Sequence, residues 1–556
     1  MSDTFLNNIT VNGLRHDANL VDANSSNKKK GYLILSTPKF NSSVEKFANW
    51  KKLLGFDVYT ILKDAWTSET VKQEVKKQYE ANSSLYYLLI IGDNSDVPAQ
   101  TSSVYSNHVT DFYYSCMDGD TDLTPDLLSG RLPVSTDAEA NIIVDKIINY
   151  EKSPVNDVSF YKTGLNCAYY QDDNKDSYAD RRFAQTSEEI RSSLVAEGLT
   201  VKRVYKADSD VSPLYWNNGI YSFGESIPSE LKKPNFPWSG NASDINSAIN
   251  EGAFYVLHRD HGGITLWGDP QYTISDINSL SNGNKLPVVF SMNCLTGKFN
   301  NDCFCEAFLK KENGGCVAIF GATEVSFSGY NDALSEGMFD AIWPSNKLRP
   351  TFPGISGTGG VTPSPTYELG QVLNQGKERL TETYGKKSSK YTKYTKELFH
   401  CFGDPSMKIY TGIPTAFSNI SINRGSNAVS VNLNGTTATI AFYDLVSDNV
   451  TYTTGTAATY STNHASNVSV CISSHNRIPY INEGIPVTSV YIQNETVVGP
   501  ANYEGSIIKV GSSVTTTKSN GPVIFKSGKI NLKADTVVIN SDTTIKSDTE
   551  FKISNK

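Results

Sequence analysis

Two short runs carry the side chains best able to do chemistry. Tyr255-Val256-Leu257-His258-Arg259-Asp260-His261-Gly262-Gly263 begins apolar and ends on a histidine followed by two glycines. Pro287-Val288-Val289-Phe290-Ser291-Met292-Asn293-Cys294-Leu295-Thr296-Gly297 repeats that form and ends on a cysteine. Each reads as a buried strand that stops at a reactive group. Open parallel α/β sheets bind ligands beyond the carboxyl ends of their strands, so neighbouring strand ends bearing His and Cys would form a nucleophile and its base. Cys294 is the candidate nucleophile. A thiol that ordinarily titrates at about 8.5 needs a nearby imidazolium or a helix N-terminus to become thiolate. His261 is the candidate general base and, later, the acid that protonates the leaving amine. The pair predicts the chemistry of a cysteine peptidase acting on proteins or peptides.

Other groupings compete for attention. His258, three residues before His261, invites a His-x-x-His metal reading, but it lacks the helical spacing of zincins and has no further ligand nearby. Its place in the apolar run predicts local packing or hydrogen bonding. Only His261 precedes the glycine pair, whose backbone can approach a substrate closely. Eight cysteines (116, 167, 294, 303, 305, 316, 401, 471) are spread too thinly for a disulfide scaffold, and Cys303-Phe304-Cys305 is too tight for zinc spacing. The others are expected to be small buried hydrophobes. Asp118, Asp120, Asp122 and Asp126 alternate in a short loop in the manner of a calcium site, without the glycine and glutamate of an EF-hand. An Asx-rich turn is the competing reading. Structural calcium is thus the one cofactor expectation, with none for catalysis. Lys28-Lys29-Lys30 reads either as a solvated linker or as a processing site.

The elements that must position the pair follow from patterning. At 556 residues the chain is too long for one core. Residues 1–30 are a polar lead-in. Gly31–Ser36 reads as a buried strand, then a helix carries Phe47, Trp50 and Leu53 on one face, and further strands lie at Phe56–Tyr59 and Leu85–Asp93. Strand–helix–strand alternation implies a parallel sheet with right-handed crossovers. The pattern restarts near residue 156, so two tandem α/β units with parallel sheets are expected, 31–155 and 156–412, the second carrying both reactive runs. Beyond Gly412-Ile413-Pro414 the helical period gives way to Thr/Ser/Asn/Val alternation, expected as a β-sandwich of immunoglobulin-like size over 413–498. Residues 499–556 form a C-terminal β segment of short alternating runs, either stacked rungs or hairpins. A net charge of −8 argues against nucleic acid as the main partner, and no apolar run reaches membrane-spanning length.

With these residues in place, the chain resembles the gingipain family of cysteine peptidases, whose fold is caspase-like. His261-Gly262-Gly263 with Trp267 is similar to the family's His-Gly segment and its following tryptophan. Cys294-Leu295-Thr296-Gly297-Lys298-Phe299, continued by Cys303-Phe304-Cys305-Glu306-Ala307-Phe308, resembles its Cys-x-x-Gly-x-Phe segment. Asp111-Phe112-Tyr113-Tyr114, Gly130-Arg131-Leu132-Pro133 and Phe402-Gly403-Asp404-Pro405-Ser406 extend the likeness over roughly 31–412. The resemblance implies an oxyanion hole from the backbone N–H groups of Gly262 and Cys294. It implies a carboxylate that orients His261, for which Asp172 is the nearest match. It also implies an S1 pocket, with Trp267 and Phe327 as candidate walls, floored in relatives that select basic residues by an acid; Asp180 and Phe183 fall equally close to that position here, beside Arg181 and Arg182, so the preference stays open. Relatives bind calcium, and an immunoglobulin-like domain follows their catalytic region.

The leading expectation is therefore an endopeptidase outside the cytoplasm, whether extracellular, on the cell surface or periplasmic. No basic and apolar leader opens the chain, which fits either a cytoplasmic protein or one whose leader has been removed. Two alternatives stand beside it. One is a sortase-like maturation peptidase for exported proteins. The other is a catalytically silent surface-binding protein whose β domains do the work.

Overall fold

The computed structural model describes residues 30–119, 121–218, 224–344, 348, 363–385, 389–515, 518–534 and 536–554. The polar lead-in to residue 29, with Lys28 and Lys29, and Asp120 of the acidic loop lie outside the described residues. The chain divides into two compact units. The first holds residues up to Lys51 together with Asp57–Ala416 and Ser474–Ile478; the second holds Lys52–Phe56, Phe417–Ser473 and Pro479–Lys556.

A ten-stranded sheet organises the first unit. In chain order its strands are β1 (Gly31–Ser36), β2 (Asp57–Leu62), β3 (Leu85–Ile91), β4 (Leu128–Leu132), β5 (Thr163–Tyr170), β6 (Thr200–Ala207), β7 (Tyr255–Arg259), β8 (Val288–Met292), β9 (Ala318–Ala322) and β10 (Phe399–Phe402). Their spatial order is β2-β1-β3-β4-β10-β9-β8-β7-β5-β6. β1, β7, β8 and β9 are buried at every residue, which is why they appear in the sequence as unbroken apolar runs instead of alternating ones.

The expectation of two tandem parallel sheets needs a correction. Each half is internally parallel, but the halves join into one sheet through β10, which runs antiparallel to β9 and parallel to β4. A short late strand supplies that joint, and nothing near residue 156 signals it. Two of the sequence motifs hold the joint in place. Arg131, fully buried on β4, makes two hydrogen bonds to the Asp111 carboxylate (2.7 and 2.9 Å) and donates to the carbonyls of Gly92 and Val97. Beyond β10, the Asp404 carboxylate accepts from the Tyr32 hydroxyl (2.7 Å) and the Ser406 N–H (2.8 Å) and pairs with the fully buried Lys51 ammonium. Such pairs leave no orphan charge in the core.

The second unit is all β. Ser421–Arg424, Ala428–Asn432 and Ala457–Ser461 form one antiparallel sheet; Ala438–Asp444, Asn449–Gly455, Val468–Ser473 and Tyr480–Asn482 form another. Val429 and Val431 from the first sheet share a core with Ile440, Phe442, Val470 and Ile472 from the second. The strands within 489–554 are stacked rungs, not hairpins, because every pairing among the described residues is parallel. Ser489–Ile492 aligns with Ile507–Val510 and then Thr536–Ile539, Glu495–Val498 with Val523–Lys533 and then Thr543–Ile545, and Ala501–Glu504 with the same long strand and then Thr549–Ser554. The result is a three-turn β-solenoid around Ile492, Val497, Ile508, Phe525 and Leu532.

Candidate active site

β7 and β8 pair in parallel with Tyr255 opposite Val288 and Arg259 opposite Met292. That register offset of 33 residues equals the separation of His261 and Cys294, so both lie two residues beyond equivalent strand ends. Adjacent parallel strands lie about 4.8 Å apart. The pairing therefore brings the two reactive groups side by side at the carboxyl edge of the sheet.

Cys294 is the one cysteine of the eight that is not buried. Its Sγ accepts the backbone N–H of Ser326 at 3.3 Å and faces the Ser326 hydroxyl at 3.7 Å. Ser326 lies just before the helix Ser328–Ile342, so the N–H that the sulfur accepts comes from the turn leading into that helix. The loop after the nucleophile is held tightly. Leu295 has φ of +64°, a left-handed conformation that a branched side chain adopts only when its surroundings compel it. Its N–H donates to the Glu324 carbonyl and that of Gly297 to Ala322, while Phe299 lies buried beneath the Arg131 guanidinium, 4.6 Å from the ring centre. A Cβ on Gly262 would sit 2.6 Å from the Cys294 carbonyl oxygen, so the histidine's turn and the nucleophile's backbone are in contact that only glycine permits.

The His261 Nε2 meets the Gln171 Oε1 at 3.0 Å. Gln171 follows directly on β5, which pairs with β7 on its other side. With Nε2–H donated to the amide oxygen, Nδ1 is left to accept a proton. The Gln171 amide in turn donates to Asp173 at 2.8 Å. Partial burial, with Phe183 edge-on at 5.3 Å, lowers the imidazole pKa from its ordinary value, and the Arg181 guanidinium lowers it further.

Three expected site residues are placed elsewhere by their contacts. Asp172 does not touch His261: its carboxylate is buried and accepts the N–H groups of Asp176 (3.1 Å) and Ser177 (2.8 Å), shaping the loop that presents Gln171. Asp180 is spent in the same loop, accepting the Asp173 N–H at 2.7 Å. Trp267 has no exposed surface and lines no cleft. It stacks on His258 at 4.4 Å, packs against Phe304 and Phe308, and donates to the Ser291 hydroxyl. Beneath it, His258 accepts from the Asn293 amide (2.7 Å) and is held well below its ordinary pKa by burial, the local role expected of it. Phe327 is half-buried beside Ser326.

Among its described residues the acidic loop is shaped by its own side-chain-to-backbone hydrogen bonds. Asp122 caps the N–H groups of Asp118 and Thr124, and Asp126 takes those of Met117 and, by its other oxygen, the Tyr79 hydroxyl. Among the described residues no group of three or more His, Cys, Asp or Glu converges as a metal site.

Sequence reasoning missed Gln171, Ser326, Asp260 and Arg259. Buried Asp260 accepts the Asp269 N–H at 2.5 Å to close the turn after His261, and burial pushes its carboxyl up to about 8. Fully buried Arg259 donates to the carbonyls of Met292 and Ser328 and pairs with Asp332, tying both strand ends to the helix that follows Ser326. Gln171 alone had a readable signal, as the first polar residue after an apolar strand.

Comparison with known proteins agrees with this geometry. Lys-gingipain HG66 of Porphyromonas gingivalis is 25% identical over 441 residues, which span 76% of this chain and 23% of that protein. Gingipain R2 of the same organism is 23% identical over 440 residues, 74% of this chain and 51% of that protein. The chain thus spans between about a quarter and a half of the length of these relatives. The crystal structure of the Arg-specific cysteine proteinase gingipain R superposes with a TM-score of 0.62 at 20% identity, covering 81% of this chain and 97% of that one, and so shares its fold. Peptidase family C25 matches residues 25–410, well over half of the sequence, and the chain belongs to that family.

Proposed function

We propose that the protein is a cysteine endopeptidase in which Cys294 is acylated by the substrate and His261 moves the proton. One observation carries the reading: the β7–β8 register sets His261 beside Cys294, the only cysteine that is not buried, with a backbone N–H donated to its sulfur. His261, with Nε2–H on Gln171, takes the thiol proton at Nδ1. The sulfur attacks the scissile carbonyl carbon, and the carbonyl π pair moves to oxygen. The N–H groups of Gly262 and Cys294 receive that oxyanion, each such donor being worth about 3–4 kcal/mol of barrier. Collapse expels the amine, which takes the proton from His261. A water deprotonated by His261 then cleaves the thioester and restores the thiol. Gln171 fixes the imidazole but brings no charge of its own to the imidazolium; Asp173 behind it does. No step passes through a metal.

The test is a peptide-library cleavage profile of the freshly reduced intact chain. Cleavage that disappears in Cys294→Ala and in His261→Ala supports the reading. A chain whose Cys294 alkylates readily but which cuts no peptide or protein would sink it.

The flanking β modules belong to the same reading. The seven strands of the second unit's sandwich, in order 1-2-5 and 4-3-6-7, have the Greek-key arrangement of immunoglobulin-like domains. Polar β modules of this kind suit a protein working outside the cytoplasm, and among the described residues no helix is long and apolar enough to cross a membrane.

A further inference from the structure

Ser326 touches the nucleophile, and its two chain neighbours are apolar and accessible. Val325 is 49% exposed. The Phe327 ring is edge-on to Tyr105 (5.1 Å) and to Tyr391 (5.1 Å), with Tyr394 at 5.8 Å. Tyr105 and Tyr391 are themselves 47% and 39% exposed. Three segments distant in sequence therefore converge on one aromatic surface: the turn after Gln100–Ser102, the start of helix Ser328–Ile342 and helix Ser389–Leu398. The surface is fixed in place, because the Tyr394 hydroxyl donates to the Val325 carbonyl at 2.7 Å and also meets the Ser106 hydroxyl at 2.8 Å. A contiguous exposed aromatic patch on a globular protein marks a binding surface.

We propose that this patch is the subsite for the substrate side chain flanking the scissile bond, and that it selects a bulky apolar residue, aromatic before aliphatic, over a basic one. The proposal rests on the peptidase reading above. Position argues for a subsite: a peptide whose carbonyl carbon meets the Cys294 sulfur must lay its adjacent side chain against whatever borders Ser326. Charge argues for the class. A buried substrate cation needs a carboxylate partner, and two carboxylates on the segments that form the patch are engaged: Glu324 with Lys298, and Glu397 with His108 and Lys393. Asp180, the acid that a basic preference would require, is held by the Asp173 N–H. A cation already lies on one of the patch's aromatic faces, the Lys390 ammonium 5.2 Å from the Tyr105 ring. An arriving arginine or lysine would meet like charge on a ring that could otherwise have held it.

The experiment uses the intact chain and a set of peptidyl acyloxymethyl ketones that differ only in the side chain beside the electrophile: Phe, Leu, Ala, Arg and Lys. Labelling rates are read by mass spectrometry on the Cys294 peptide, with iodoacetamide as a probe of the thiol that needs no subsite. The Phe probe is expected to label on the order of tenfold or more faster than Ala, Arg or Lys. Tyr105→Ala and Phe327→Ala should compress the Phe-to-Ala ratio towards one, and Phe327→Leu should restore part of it. Arg or Lys probes as fast as Phe, or a ratio unmoved in both alanine variants, would overturn the subsite and leave the peptidase reading standing. No labelling by any peptidyl probe while iodoacetamide still modifies Cys294 would overturn the peptidase reading itself.

Discussion

Gly262→Ala puts the contact between the two halves of the site under direct test. A Cβ there would lie 2.6 Å from the Cys294 carbonyl oxygen and 2.8 Å from the Asn293 side chain, where ordinary contact begins at 3.4 Å. The Cys294 peptide or the His261 turn must therefore retreat by about 0.8 Å, since neither neighbour is a flexible side-chain end and packed interiors transmit such shifts. A displacement on the scale of 1 Å between reacting groups costs roughly a hundredfold in rate, or about 2.7 kcal/mol of barrier. Overpacking of this kind costs about 1–3 kcal/mol of stability, a melting shift of only a few degrees for a unit this large. The neighbouring Gly263→Ala is the control, because its Cβ would meet nothing closer than Leu266 at 3.6 Å. The assay is kcat/KM on a cleaved peptide, with a thermal melt of each variant. Gly262→Ala should lose about two orders of magnitude while still folding, and Gly263→Ala should stay within about threefold of the parent. Equal losses in both variants, or a Gly262→Ala enzyme within threefold of the parent, would refute the argument from close approach.

Three further outcomes follow from the same contacts. Removing the guanidinium beside His261 in Arg181→Gln should move the acid limb of the kcat/KM profile to higher pH, because that cation now lowers the imidazole pKa and the neutral base is the active form; a limb that stays put or moves down contradicts this. Leu295→Gly should relieve left-handed strain of about 1 kcal/mol and raise the melting temperature slightly while lowering kcat, since the strained turn fixes the nucleophile; a variant both more stable and equally active would show the strain to be incidental. His400 is buried and neutral, its Nε2 accepting the Asp111 N–H at 2.9 Å and its Nδ1 facing the Leu398 carbonyl, and burial lowers its pKa from 6.5 to about 4. Its contribution is whole above pH 6.5 and is lost on acidification, because the unfolded chain gains a proton that the fold refuses. The parent should lose about 3 kcal/mol more than His400→Gln between pH 7 and pH 4 in urea titrations, and parallel pH dependences would count against it.

What the sequence disclosed and what it withheld divide along a physical line. The strands that carry His261 and Cys294 were legible because a strand buried on both faces must be continuously apolar, and a reactive residue at its end breaks that run visibly. Phe417–Lys556 were legible as β structure for a similar reason, since period-two alternation leaves a trace whatever the pairing. The pairing itself did not. Whether the runs after 499 stack in parallel or fold back depends on contacts between residues some 20 to 30 positions apart, which no local pattern encodes. The joint at β10 escaped for the same reason, since four residues cannot announce a neighbour on β4 271 positions earlier (Phe402 opposite Arg131).

The site followed the same rule one level down. Cys294 and His261 are identified by chemistry, which is a property of the residue, and their type alone narrows the field. The partner of His261 is identified by geometry. Asp172 has the better chemistry for orienting an imidazole and lies next to the right position in sequence. Along an extended segment, adjacent side chains point to opposite sides, and Asp172 turns inward to organise its loop while Gln171 faces the ring. The consequence is functional as well as structural. An imidazolium held by an amide, with Asp173 one bond further out, is less stabilised than one on a carboxylate, and the Arg181 guanidinium lowers it again. The base is therefore poised neutral, and the charge that develops on the sulfur as it gives up its proton meets the Ser326 N–H, so Gln171→Glu should shift the acid limb of the pH profile upward without moving the Phe-to-Ala selectivity set by the aromatic patch.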